Sequence, residues 1–328
     1  MEATHLNFRG KKLRQFPEEI RRATNLTNLN LDDNTIDRIP DWIMELQSLK
    51  VLYLNNNAIT NLDVLTHLPA LEVLHVTNNQ IGQIPETIHH LKNLKRLYLT
   101  NNNLEAIPAS ICELTELKQL LLARNQLKQL PDQLGNLTKL EILNVFDNQL
   151  EYLPGSIGQL ERLDYLQLGF NQLKQLPVEI KGLQSLTSME FFGNRIRQLP
   201  PELTQLASLT NLNVAENELE RIEHIPSSVI RLSIYANPVK YIDAEILASF
   251  KREFDDSVPD YFFYLFIDTN QQEALKINPA DFHKSSNRGH LKVLDLQQRR
   301  IHWYDVKHVP LEFQEKWQLV QVRFTKEF

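Results

Sequence analysis

Cysteine is nearly absent from this sequence. Among 328 residues the only cysteine is Cys112, so no disulfide can form within the chain. Extracellular proteins commonly rely on paired cysteines, and their absence favours a reducing compartment. We interpret Cys112 as a small core residue rather than a reactive thiol.

Long apolar runs are also missing. The sequence contains no run of about 18 apolar residues, which a membrane-spanning helix requires, and charged residues occur throughout the N-terminal stretch 1–22. A secretory signal would need an apolar core of roughly 7–15 residues there. We therefore expect no membrane partner and a cytoplasmic location, with export as an effector as the alternative.

The chain has no excess of positive charge, and it lacks the short motifs of common enzymes. Its formal net charge is -6, whereas nucleic acids and anionic membranes select basic surfaces. No phosphate-binding loop, GxSxG or HExxH motif is present, and His302 and His308 are not spaced as ligands on one helical turn. We expect no nucleic-acid partner, metal, cofactor or catalytic residue, so the protein is predicted not to be an enzyme.

A 23-residue pattern recurs along most of the chain. The stretch 117–139 fits the template LxxLxLxxNxLxxLP, and regular units with the same pattern precede and follow it. The units begin at Leu26, Leu49, Leu71, Leu94, Leu117, Leu140, Leu163, Leu186 and Leu209, and a shorter unit begins at Val229. Repetition at this period is typical of solenoids, in which each unit needs its neighbours to bury its apolar face.

Each part of the unit predicts a local structure. Leu120 and Leu122 alternate with Leu121, which predicts a short strand with the two leucines facing inward. Asn125 follows at a turn, where its amide can satisfy backbone groups of adjacent coils. The proline-led stretch after it suits a short helix or 3₁₀ turn on the opposite, convex side. At residues 220–228 this stretch is shortened, which predicts an extended connection.

These repeats resemble the LPxxI class of intracellular leucine-rich-repeat proteins over residues 26–209. The shorter unit HIPSSVIRLSIYANPVKYI is similar to repeats of bacterial leucine-rich-repeat effectors, which implies a bacterial source. The resemblance implies an α/β fold, a curved right-handed solenoid with a concave parallel sheet, convex short helices or 3₁₀ turns and an α/β C-terminal cap. It also implies a protein partner on the concave face, without specifying which.

The sequence divides into three parts. Residues 1–25 form a degenerate first repeat or N-terminal cap, residues 26–242 carry the repeats, and residues 243–328 depart from the pattern. In this last part we predict a closing helix at 243–254, strands at 261–267 and around 320–324, a helix at 279–288, and a repeat-like stretch with Leu291, Leu294, Leu296 and Ile301. It is interpreted as an enlarged cap, with a small α/β domain, including one with enzymatic activity, as the alternative.

The residues beside the inward leucines line the concave face. In early units they are polar, whereas from the middle of the chain onward aromatic residues appear among charges. Contiguous exposed apolar residues rimmed by charge are typical of interfaces. The predicted partner-binding residues are Arg96, Tyr98, Leu121, Arg124, Phe146, Asp147, Tyr165, Gln167, Phe170, Glu190, Phe192 and Tyr235.

We expect this surface to centre on Phe146, Tyr165, Phe170 and Phe192, with Glu216 as a rim residue of little weight. Two alternatives use the same residues. The C-terminal segment could fold back over the aromatic residues and bury them, or a second copy of the chain could bind them as a homodimer.

Overall fold

The computed structural model describes residues 4–246, 263–268, 289–295 and 300–304. The predicted helix at 279–288 and the predicted strand around 320–324 lie outside these residues. Of the predicted closing helix, residues 243–246 are described, and 244–246 are helical.

Fourteen strands form one sheet in which sequence order is spatial order. Every described neighbour pair in it is parallel except the last, β15 with β16. The strands are β1 His5–Asn7, β2 Asn28–Asn30, β3 Val51–Tyr53, β4 Val73–His75, β5 Arg96–Tyr98, β6 Gln119–Leu121, β7 Ile142–Asn144, β8 Tyr165–Gln167, β9 Ser188–Glu190, β10 Asn211–Asn213, β12 Arg231–Ser233, β14 Phe263–Asp268, β15 Gly289–Asp295 and β16 Arg300–Tyr304. Two further strands, β11 Arg221–Ile222 and β13 Tyr241–Ile242, pair with each other.

The register places equivalent residues of successive repeats side by side. Leu120 is the partner of Leu97 on β5 and of Leu143 on β7, and all three are completely buried. The same alignment holds along the repeats, so the inward leucines form one continuous core. The predicted solenoid with a parallel sheet is confirmed.

In the described part of the chain, the side opposite the sheet carries nine 3₁₀ turns. They are η1 Glu18–Arg22, η2 Asp41–Glu45, η3 Asp63–His67, η4 Glu86–His90, η5 Ala109–Glu113, η6 Leu134–Asn136, η7 Gly155–Gln159, η8 Val178–Gly182 and η9 Pro201–Gln205. Most begin directly after a proline in extended conformation, and in η4 the buried residue is Ile88, three residues after Pro85. At the shortened segment, β11 replaces a 3₁₀ turn, which confirms the predicted extended connection.

The repeat asparagines tie each coil to its neighbours. The Asn125 amide nitrogen donates to the carbonyl oxygens of Leu99, Leu122 and Ala123 at 3.0, 2.9 and 3.3 Å, and its oxygen accepts from the Leu104 amide at 3.0 Å. One buried side chain thus satisfies backbone groups that would otherwise be stranded, each at a cost of about 1–3 kcal/mol. The predicted asparagine ladder is confirmed.

The sheet continues beyond the last repeat. β12 pairs with β14 through Leu232 and Leu265, and Ile267 on β14 is completely buried. The strand predicted at 261–267 is therefore present as β14. No helix in the described ranges has the length and apolar character that a membrane crossing requires.

Cys112 lies on η5 and is 2 % exposed. Burial raises the pKa of its thiol to about 11. A thiol in this state is protonated at neutral pH and a poor nucleophile. Its interpretation as a core residue agrees with this environment.

Candidate partner-binding surface

In the early repeats, polar side chains on the concave face form hydrogen bonds with one another. Asp33 accepts a hydrogen bond from Arg9 at 2.6 Å and one from Asn56 at 2.5 Å. Asn78 donates to Asn56 at 2.5 Å, and Asn101 donates to Asn78 at 2.8 Å. Because these groups satisfy one another, this row offers a partner few unsatisfied donors or acceptors.

A ring stack lies beside this polar row. The His75 ring lies 4.6 Å from the Tyr53 ring and 4.2 Å from the Tyr98 ring, measured between centroids. Burial, and secondarily the charge of Arg96, lowers the pKa of His75 to about 4. The Tyr98 hydroxyl donates a hydrogen bond to Gln119. His75 is therefore neutral at physiological pH, and the stack forms a fixed apolar surface.

From β6 onward, large aromatic and small residues alternate on the position two residues after each strand. Backbone hydrogen bonds between successive coils hold the row in register; the Asp147 amide, for example, donates to the Gly169 carbonyl at 2.9 Å. Along the sheet the row reads Ala123, Phe146, Gly169, Phe192, Ala215 and Tyr235. Since parallel strands lie about 5 Å apart, a ring needs a small neighbour on the next coil.

Phe146, Phe170 and Phe192 form a cluster in which each ring contacts the other two. The ring centroids are 5.4 Å apart for Phe146 and Phe170, 5.2 Å for Phe170 and Phe192, and 5.9 Å for Phe146 and Phe192. Such edge-to-face distances are favourable for aromatic pairs. We call these three residues the phenylalanine cluster.

Two glycines make room for the phenylalanine cluster. A Cβ atom on Gly169 would lie 2.8 Å from the Phe192 ring, and one on Gly193 would lie 2.6 Å from the Phe170 ring. Gly193 also has a φ of +66°, in the left-handed region that glycine adopts at little cost. Phe170 nevertheless keeps 43 % of its surface exposed. The rings are thus held by the backbone beneath them and still face outward.

Tyr165 lies outside the phenylalanine cluster, in a hydrogen-bonded group with Gln167 and Glu190. It is the first residue of β8, the strand that Phe170 follows. Its hydroxyl donates to Glu190 at 3.4 Å, while the Gln167 amide donates to Glu190 at 2.9 Å. Gln167 also accepts from the Gly169 backbone amide at 2.9 Å. Burial, reinforced by the Glu190 charge, raises the pKa of Tyr165 to about 12. This network fixes the carboxylate of Glu190, the last residue of β9.

Glu216 lies on the coil that follows the coil of Phe192, and it is only partly exposed. Burial raises the pKa of its carboxyl group. Its backbone amide donates to the Tyr235 carbonyl at 2.9 Å. The pKa of the Tyr235 hydroxyl is raised by burial and by the charges of Glu216 and Glu190. Glu216 and Tyr235 therefore lie on neighbouring coils.

The structure assigns different surroundings to the predicted binding residues. Phe146, Phe170 and Phe192 come together, Arg96, Arg124 and Asp147 are exposed, and Tyr98, Leu121, Tyr165, Glu190 and Tyr235 are partly exposed. Gln167 is only 7 % exposed, and its amide is hydrogen-bonded to Tyr165, to the Gly169 backbone and to Glu190 on the next coil.

The structure adds two details to the predicted surface. Among the described ring contacts Tyr165 has none with the phenylalanine cluster, because it begins β8 whereas Phe170 follows that strand. Glu216 is partly buried on the coil next to Tyr235, and the weight of both residues in binding stays a prediction. The alternative of a C-terminal segment folded back over the rings involves residues that lie mostly outside the described ranges, and it stays a prediction.

Sequence reasoning missed the Tyr53–His75–Tyr98 stack and the role of the two glycines. A signal for the glycines was available, because Gly169 and Gly193 replace larger residues one coil away from a phenylalanine. The stack could have been found from the shared third strand position of Tyr53, His75 and Tyr98.

Two family models match the first half of the chain. One, described as a leucine-rich repeat region, matches residues 55–153, and another, described as leucine rich repeat, matches residues 24–81. Both ranges lie within the regular repeats.

Solved structures of similar fold come from bacteria and plants. A leucine-rich-repeat protein of Leptospira interrogans is 24 % identical, with a TM-score of 0.59 over 74 % of this chain and 78 % of that one. An internalin of Listeria monocytogenes is 23 % identical, with a TM-score of 0.63 over 75 % and 84 %. A plant peptide hormone receptor, RGFR1 in complex with RGF2, is 23 % identical, with a TM-score of 0.52 over 86 % and 54 %.

Curated relatives match over shorter stretches. A leucine-rich repeat serine/threonine-protein kinase 1 of Caenorhabditis elegans is 34 % identical over 89 residues, which are 26 % of this chain and 4 % of that protein. The alpha subunit of geranylgeranyl transferase type-2 from Sus scrofa is 40 % identical over 58 residues, 18 % of this chain and 10 % of that protein. The matches thus span a tenth or less of these relatives.

The repeat pattern, the strand register, the asparagine ladder and the matching family models agree with one another. The similar structures share the solenoid fold at low sequence identity. The chain is a leucine-rich-repeat protein.

Proposed function

We propose that this protein is a binding module that engages a protein partner through the phenylalanine cluster on its concave face. The observation that carries the proposal is the set of three mutually packed rings, which two glycines hold in an outward-facing position. Rings fixed before binding lose little conformational freedom on association, which favours affinity. Exposed aromatic clusters are the usual anchors of protein interfaces.

Supporting features lie around the cluster. Arg124 is exposed on the coil before the cluster, and the exposed Asp147 directly follows Phe146, which resembles the polar rim of an interface. Among the similar structures, the plant receptor is a peptide hormone receptor in complex with RGF2. The similarity to that receptor supports only the shared fold. The binding surface proposed for this chain rests on the residues of this chain.

We also propose that the repeats belong to the LPxxI class, because the proline-led turns place a buried isoleucine three residues after the proline. A bacterial source and a cytoplasmic location stay predictions, as does the assignment of residues 243–328 to an enlarged cap.

The proposal is tested with a photo-crosslinking residue placed at position 170 in the full-length protein. The control carries the same residue at position 152, because Tyr152 is 47 % exposed and lies outside the concave face. We expect a crosslinked partner from position 170 only. The purified partner should bind Phe170→Ala at least about 30-fold more weakly, since loss of an interface anchor costs about 2 kcal/mol or more, and should bind Tyr152→Ala normally.

Stability measurements separate a binding effect from unfolding. Leu143 is completely buried, so Leu143→Ala should lower the free energy of unfolding by about 2–5 kcal/mol. Phe170→Ala should leave the melting temperature close to that of the unmodified protein. Equal destabilisation by the two substitutions, or equal weakening of binding by Tyr152→Ala, would contradict the proposal.

A further inference from the structure

One positive charge lies beside the ring stack of the concave face. Arg96 and Tyr98 are the first and third residues of β5, so their side chains point to the same side of the sheet. The strand register places Val73 on one side of Arg96 and Gln119 on the other. Arg96 is exposed, and among the described residues its guanidinium takes part in no hydrogen bond or ion pair.

The lysines that precede the same strands are paired. Lys95, just before β5, donates to Glu72 at 2.7 Å, and Lys118, just before β6, donates to Glu141 at 2.8 Å. These two carboxylates belong to the coils on either side, and each already has a cation. Arg96 differs from both lysines because the described chain supplies it with no carboxylate.

The groups around Arg96 are uncharged. His75 lies diagonally across from it and is neutral at physiological pH, because its pKa is lowered to about 4. The Gln119 side-chain oxygen accepts the hydrogen bond of the Tyr98 hydroxyl, and Leu121, the register partner of Tyr98, is partly exposed. A polyanion such as a nucleic acid is bound by several cations, whereas one guanidinium surrounded by rings suits one carboxylate, held by two parallel hydrogen bonds.

We infer that the partner places an aspartate or glutamate side chain on Arg96, in the same segment that packs an apolar side chain on the phenylalanine cluster. This inference rests on the proposed function and specifies the chemistry of its partner. In the register, Ile142 on β7 is aligned with Arg96 two strands away, and Phe146 follows Ile142 by four residues. The two contact points are therefore about 16 Å apart along a diagonal, which an extended peptide covers in about five residues.

The ring stack lies next to the Arg96 contact and would exclude water from it. A charge-assisted hydrogen bond is stronger where water is excluded, because the local dielectric constant is lower. The partner's carboxylate thus gains from the same rings that its neighbouring apolar groups can cover. Charge complementarity at Arg96 also orients the segment, with its acidic residue towards β5 and its apolar anchor towards β7 and β8.

The test uses a displayed library of random twelve-residue peptides, fused through their C-termini and selected against the full-length protein. We expect the enriched peptides to carry aspartate or glutamate about five residues from an aromatic or large aliphatic residue. Synthetic copies with amidated C-termini, which leave only side-chain carboxylates, should bind Arg96→Gln at least about tenfold more weakly. Arg96→Lys should bind with intermediate affinity, because lysine keeps the charge but lacks the two parallel donors.

Arg162→Gln is the matched control, since Arg162 is also exposed but lies in the turn between η7 and β8. This variant should bind the selected peptides normally, and Arg96→Gln should keep the melting temperature of the unmodified protein. Peptides that bind Arg96→Gln as tightly as the unmodified protein, yet lose binding to Phe170→Ala, would overturn the inference and leave the proposed function standing. Peptides that bind Phe170→Ala normally would overturn both, because the inferred segment spans the two contact points.

Discussion

His75 lies between Tyr53 and Tyr98 on the exposed side of the sheet, and its environment favours the neutral ring. Its pKa in the folded protein is about 4, against an ordinary value of 6.5. Between these pH values the unfolded chain binds more protons than the folded one, so acidification favours unfolding. Above pH 6.5 both states hold a neutral ring, and the stabilising contribution is fully present.

We therefore expect the free energy of unfolding to fall as the pH drops from 6.5 towards 4. His75→Phe removes the titrating group and keeps an aromatic ring between the two tyrosines, so its stability should fall less over the same range. Urea denaturation at several pH values measures both curves, and their difference isolates His75 from carboxyl groups such as Asp32, which titrate in both proteins. Parallel curves would show that His75 is protonated in the fold without cost.

At the scale of single elements, the strand β12 depends on its neighbour on each side. Leu232 pairs with Leu212 on β10 and with Leu265 on β14. Without β14, the backbone groups of β12 would form an exposed parallel edge, and exposed edges promote association with other chains. Terminal units of solenoids usually carry a cap for this reason.

Deletion of residues 251–328 removes β14, β15 and β16 and should therefore cause aggregation. The expected measurement is a loss of monomer in size-exclusion chromatography, together with reduced cooperativity of thermal unfolding. A truncated chain that stays monomeric and unfolds cooperatively would show that the segment after β12 is dispensable as a cap.

The elements themselves could be predicted from the sequence, but their side-chain contacts could not. The spacing of Leu117, Leu120 and Leu122 determines which residues face the core, and the structure confirms it. The same spacing does not indicate at which end of a strand a side chain lies or how it leans on the next coil. The repeat spacing therefore groups Tyr165 with Phe170, whereas in the structure Tyr165 hydrogen-bonds with Glu190 and Phe170 packs on Phe146 and Phe192.

Over the whole molecule, the repeats differ in what they expose while sharing one core. The coils from Asp33 to Asn101 close their concave row with hydrogen bonds between side chains, whereas the coils around Phe170 carry the phenylalanine cluster, with the Phe170 ring exposed. Because neighbouring repeats share apolar contacts, stability is distributed along the solenoid. The exposed rings can therefore serve recognition without being needed for folding.

The last prediction concerns the association of whole molecules. A narrow partner can reach the centre of a concave surface. Two concave surfaces that face each other touch only at their rims, so the phenylalanine clusters of two copies should not contact each other. We expect the full-length protein to sediment as a monomer at micromolar concentration, and Phe146→Ala to sediment identically. A dimer that dissociates on Phe146→Ala while Tyr152→Ala leaves it intact would assign the cluster to self-association through an isologous interface. A dimer unaffected by either substitution would place its interface elsewhere and leave the cluster free for a partner.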